Sequence, residues 1–86
     1  MLLKFILIGS ICWSFTDSGT QCTQFLQDNL INAQRCETLA NSVGKATKSK
    51  ILKLEGSMER YEATCIAINE SGIDIDQTFE ISYNIL

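Results

Sequence analysis

The stretch "ILKLEGSMERYEATCIAI", residues 51–68, is the one whose reading decides the fold. Its apolar markers are Ile51, Leu54, Met58, Tyr61, Cys65 and Ile68, spaced by 3, 4, 3, 4 and 3 positions. Steps of three and four hold residues on one face of an α-helix, and two heptads in that order predict a helix laid along a partner helix. Gly56 interrupts the run on the exposed side, at about 1 kcal/mol relative to alanine.

The partner helix is predicted from the preceding segment. Between Thr20 and Val43, apolar residues fall at Cys22, Phe25, Leu26, Leu30, Ala33, Cys36, Leu39, Ala40 and Val43, again in threes and fours. Thr20 has the hydroxyl of an N-cap, and Gly44 sits where such a helix would stop. The expectation is an all-α fold: an antiparallel helical hairpin over residues 19–72, turning near Lys45 and Ala46. One local conflict remains. Lys45, Lys48, Lys50 and Lys53 fall near the start of the second helix, and Glu55, Glu59 and Glu62 follow. That order opposes the helix dipole, so part of the lysine segment is expected to be loop.

Residues 73–86 form a tail with two readings. Ile73, Ile75, Phe79, Ile81, Tyr83 and Ile85 alternate with polar residues, which is a strand signal. Ile75, Phe79, Tyr83 and Leu86 also make a helical stripe, and Asp74-x-x-Gln77 resembles a capping box. A lone strand beside two helices has nothing to pair with, so a short third helix or an irregular packed tail is expected.

The chain has 86 residues, enough for one small domain. Lys4 followed by the apolar run "FILIGSICW" and the small residues Ser14 and Ser18 has the order of a secretory signal peptide. Residues 1–18 are read as that leader, with cleavage after Ser14 or Ser18. About seventy residues then remain, and a core of that size is marginal without a covalent staple. Asn69-Glu70-Ser71 is an N-glycosylation sequon, in keeping with export. The predicted location is secreted and extracellular.

With Cys12 in the leader, Cys22, Cys36 and Cys65 are left, and an oxidising compartment favours one disulfide among them. In a hairpin turning near residue 45, Cys22 and Cys65 lie about 6 Å apart along the axis, against about 15 Å for Cys36 and Cys65. Disulfide Cα atoms lie within about 7 Å, so Cys22–Cys65 is the expected bond. Cys36 is then a buried free thiol or a bridge to a second chain in a homodimer. A turn nearer Lys50 would make Cys36–Cys65 the better pair.

Composition excludes several kinds of chemistry. There is no histidine and no CxxC, so a thiolate nucleophile lacks its usual base and a zinc site lacks its ligands. Asp74, Asp76, Thr78 and Glu80 imitate the start of a calcium loop, but Phe79 occupies the glycine position and Ile85 the last acidic one. Glu55, Glu59 and Glu62 read as a solvated face. A net charge of −3 without aromatic–basic alternation argues against nucleic-acid binding. No catalytic residue, metal or cofactor is expected.

The segments "CTQFLQ" (22–27), "RCETLA" (35–40) and "RYEATC" (60–65) resemble a secreted nematode domain family of unknown function. The resemblance implies a small, helical, disulfide-bonded extracellular domain. The expected role is a non-catalytic interaction or structural module that presents one helical face or the tail to an unidentified extracellular protein. The alternatives are a carrier with Phe25, Leu26, Met58 and Tyr61 lining an apolar pocket, or a truncated product without independent function.

Overall fold

The computed structural model describes residues 3–81. Two strands come first, β1 (Lys4–Phe15) and β2 (Ser18–Ile31), followed by a helix, α1 (Ala33–Lys53). Two more strands follow, β3 (Ser57–Asn69) and β4 (Gly72–Ile81). The strands form one sheet in the order β2-β1-β3-β4, and every neighbouring pair is antiparallel. The helix packs on one face of the sheet. The fold is α+β and mainly strand. It is not the all-α hairpin that the apolar spacing predicts, nor the helical fold that the family resemblance implies.

The correction begins in residues 51–68. Ile51 belongs to the last turns of α1, but the chain reverses at Leu54–Gly56 and leaves as β3. The helix ends in a Schellman arrangement: Glu55 N–H donates to Leu52 O at 3.0 Å and Gly56 N–H to Ile51 O at 2.9 Å. Glu55 takes the left-handed conformation, with φ 63°. Beyond it, a bulge sets Cys12 opposite Arg60 and Trp13 opposite Met58, leaving Glu59 as an extra residue. The bulge puts Met58 and Tyr61 on one face although they are three apart. From Tyr61 onward the strand alternates, with Tyr61, Ala63, Cys65 and Ala67 buried. A helical spacing of 3 and 4 is thus also the spacing of a bulged strand.

The predicted first helix divides at Asn32. Its first half is β2, and only its second half is helical. Asn32 is the true N-cap: its Oδ1 accepts from Arg35 N–H at 2.8 Å. Thr20 lies inside β2, and Gly44 lies buried within α1 instead of ending it. Cys36, Ala40 and Gly44 recur every four residues on the buried face, so small side chains bring the helix close to the sheet. The lysines that conflict with a helix start belong to the C-terminal half of α1. Lys50 and Lys53 fall in its last turn, where the dipole favours positive charge.

Residues 4–15, expected to leave with the leader, are the middle of the sheet. β1 pairs along its length with both β2 and β3, and it contributes Phe5, Leu7 and Ile11 to the core. A short unbroken apolar run suits a buried strand as well as it suits a leader. The tail expected as helix or irregular packing is β4 over Gly72–Ile81, because β3 gives it a partner. Tyr83, Ile85 and Leu86 lie outside the described residues. The local signal at Asp74 is still expressed: Gln77 N–H donates to Asp74 Oδ1 at 3.3 Å and Thr78 Oγ1 to Asp74 O at 2.9 Å. These bonds close a wide bulge, and the chain continues as strand to Ile81.

Candidate functional site

The helix side of the sheet is filled. Leu7, Cys36 and Cys65 are fully buried there, with Phe5, Ile11, Ala40, Met58, Tyr61, Ala63 and Ala67 around them. Tyr61 reaches across to α1, its hydroxyl donating to Ala40 O at 2.5 Å. Phe25 of β2 stacks on Tyr61 at 6.1 Å between ring centroids. The Phe25 ring also lies over Gly9, where a Cβ would overlap it and the Glu62 carbonyl oxygen.

Two disulfides hold these elements. Cys36–Cys65 joins α1 to β3 with Cα atoms 6.1 Å apart, and Cys12–Cys22 joins β1 to β2 at 4.0 Å. The expected Cys22–Cys65 bond is therefore replaced, and the alternative partner for Cys65 is the one present. The reason is the turn position. From Cys36 to Glu55 the helix climbs about 28 Å, and from Glu55 to Cys65 a strand descends about 33 Å, because a strand rises twice as far per residue. No cysteine among the described residues is free. Cys36, bonded and with no exposed surface, is unable to bridge two chains. Two disulfides fit an oxidising environment, and no described helix is long and apolar enough to cross a membrane.

Among the described residues, no helix covers the opposite face of the sheet. By strand alternation it presents Ile6 and Ile8 from β1, Ile66 and Ile68 from β3, Leu26 from β2 and Ile73 from β4. Register sets these residues side by side: Leu26 pairs with Ile8, Ile6 with Ile66, and Ile68 with Ile73. Leu26 is 63% exposed and Ile73 is 65% exposed, whereas the four isoleucines of the central strands are half-buried by their neighbours. A polar row of Gln24, Ser10 and Glu62 borders this aliphatic band. A shallow depression of about 430 Å³ opens there, lined in part by Ile8, Ser10, Gln24, Leu26, Glu62 and Thr64. Arg60 Nε donates to Glu62 Oε1 at 2.7 Å, which pairs that carboxylate at the surface.

The other predicted site residues are dispersed. Phe25, Met58 and Tyr61 are packed on the helix side, and Leu26, the next residue after Phe25, points the other way. Those four do not line one pocket. Glu55 sits in the turn after α1, Glu59 accepts from Ser14 Oγ at 2.6 Å on the bulge, and Glu62 is on the open face, so they share no helix face. Among the described residues, no three acids or cysteines stand together as a metal site. Asn69 is at the β3–β4 hairpin, its Oδ1 accepting from Ser71 N–H at 2.8 Å and its Nδ2 donating to Asp74 Oδ2 at 3.3 Å.

The open face escapes the helical reading because Ile6 and Ile8 are assigned to a leader and Ile66 and Ile68 to a helix. One signal for it exists in the sequence. Small residues at 63, 65 and 67 alternate with β-branched ones at 64, 66 and 68. The fold and its surfaces define a small disulfide-bonded α+β domain with one covered and one uncovered sheet face. No family model, curated protein or solved structure matches the chain.

Proposed function

We propose that this is a secreted, extracellular, non-catalytic interaction module that binds a protein partner through the uncovered sheet face. The observation that supports this reading is the aliphatic band crossing all four strands, with no layer over it among the described residues. A contiguous apolar patch rimmed by polar groups is the usual mark of a protein-binding surface. It replaces the helical face as the presented surface. The disulfides support an oxidising destination, and the sequon at Asn69 lies at a hairpin end away from the core.

The test places a photo-cross-linking residue at Ile66, on the open face, or at Thr38, on the exposed side of α1, in chain secreted by cultured cells. Adducts to one extracellular protein from position 66 and not from 38 are expected. Equal adducts from both positions, or none, would count against the surface.

One observation favours the carrier as a second reading, at a different place from Phe25 and Met58. A groove of about 270 Å³ lies between the end of β1 and the last turns of α1, lined in part by Ile11, Trp13, Phe15, Ile51 and Leu54. Trp13 is the only tryptophan, so its fluorescence reports occupancy directly. A saturable shift with a medium-chain fatty acid supports the carrier, and an unchanged spectrum removes it.

A further inference from the structure

The two edges of the sheet differ. β4 is blunted: its pairing with β3 jumps from Phe79 opposite Cys65 to Asp74 opposite Ala67, so residues 75–78 bulge away. Within that bulge Thr78 Oγ1 accepts the Ala67 N–H at 3.0 Å, and the strand carries Asp74, Asp76 and Glu80. Bulges and charges of this kind stop an edge from recruiting another strand. β2 has neither over its middle. From Gln21 to Gln27 it pairs without interruption against Trp13 to Leu7, and these residues, "QCTQFLQ", contain no charge and no proline. The Cys12–Cys22 bond holds the segment to β1. An unbroken, neutral, braced edge is a template for strand addition.

We infer that the occupant of this edge is a second copy of the same chain, with β2 pairing antiparallel to β2 about a two-fold axis at Gln24. The pairing extends each four-stranded sheet into one of eight strands. A two-fold axis perpendicular to the sheet requires opposed residues to share a face, and centring on Gln24 aligns the whole uncharged segment with its own reverse. Gln24 then meets Gln24 of the partner subunit, and two carboxamides are complementary as donor and acceptor. Thr23 meets Phe25 of the partner subunit, an aromatic–β-branched pair. Cys22 meets Leu26 of the partner subunit, which covers an aliphatic side chain that is otherwise 63% exposed. Charge favours the same choice. Each chain carries −3, and joining at β2 keeps the acidic β4 edges at the two far ends. Pairing through β4 would bring those acids together. This dimer is independent of the open-face reading, and it needs no disulfide between the two chains.

The test uses the oxidised full chain in analytical ultracentrifugation over a range of concentrations. A reversible monomer–dimer equilibrium is expected. Gln24→Lys places like charges directly opposite on the axis and should weaken the dimer by about tenfold or more, as should Gln24→Glu. Mixing the two variants should restore a dimer, since lysine then faces glutamate. Gln24 is exposed, and circular dichroism of each variant confirms that the monomer is folded. Glu80→Lys, on the other edge, should leave the association unchanged. A wild-type chain that stays monomeric, larger assemblies in place of a dimer, a dimer indifferent to Gln24→Lys, or a mixture that does not reassociate would each overturn the proposal.

Discussion

Cys36 of α1 and Cys65 of β3, 29 positions apart in sequence, are bonded with Cα atoms 6.1 Å apart and no exposed surface on either residue. The bond bolts the helix to the centre of the sheet, beside the hydrogen bond from Tyr61 to Ala40. The loop it closes is longer than the one closed by Cys12–Cys22, whose separation is 10. On chain entropy, the first bond stabilises by about 4 kcal/mol and the second by about 3 kcal/mol. Urea unfolding of the Cys36→Ala/Cys65→Ala and Cys12→Ala/Cys22→Ala pairs should reproduce that order, with the first pair further destabilised by lost core volume. An equal or reversed order would contradict it.

Gly9 is where β1 lets an aromatic ring lie directly on its backbone. Gly9→Ala drives a methyl group into the Phe25 ring and the Glu62 carbonyl, and overpacking of that kind costs about 1–3 kcal/mol. Gly19→Ala is the control, with nothing near the added carbon, and it should be neutral or slightly stabilising. The measurement is the shift in urea midpoint for the two variants.

Glu55 holds a left-handed conformation that glycine adopts without a steric penalty. Glu55→Gly should raise stability by up to about 1 kcal/mol, because relief at the Schellman position outweighs the entropy added to the unfolded chain. A lower melting temperature for this variant would show that the Glu55 side chain makes a contribution larger than the strain.

Deleting residues 1–18 removes the strand that pairs with both β2 and β3, three core residues and the partner of Cys22. Cuts after Ser14 and Ser18 both pass between Cys12 and Cys22. A chain starting at residue 19 should lack the far-UV signature of a sheet and should unfold without cooperativity. A cooperative transition in that fragment would mean that the remaining residues build a different core.

Ser71→Ala abolishes the sequon while leaving the Ser71 N–H that bonds Asn69. Expressed in a glycosylating cell, wild type should exceed this variant by the mass of one glycan, with unfolding free energies within about 0.5 kcal/mol of each other. Asn69→Gln should lose the glycan and also some stability, since the amide accepts from Ser71 and donates to Asp74.

Several elements are legible from residues alone, and the failures have physical causes. The helical face at Cys36, Leu39, Ala40 and Val43 is read correctly because α1 is amphipathic over that span. The alternation in the tail is a true strand signal, set aside only for want of a partner strand. Residues 20–31 read as helix because the side chains that strand geometry leaves exposed, Leu26 and Leu30, complete a stripe with Cys22 and Phe25. Apart from the alternation at 63–68, the open face is hidden from spacing, since Ile6 and Ile8 lie in a segment with the profile of a leader and Leu26 joins a helical stripe.

The sequence by itself determined the features that depend on neighbours in the chain. These are a small, cysteine-braced domain, a helical stretch through residues 36–43, and the local hydrogen-bonding signal from Asp74 to Gln77. Only the tertiary structure decided whether residues 51–68 continue as helix or reverse into β3, and which cysteine Cys65 meets. Met58, Tyr61 and Cys65 satisfy both periods once a bulge intervenes, so local spacing leaves the two conformations degenerate. What separates them is the row of hydrogen bonds from β3 to β1, some fifty positions away, and those bonds exist only after the chain has folded.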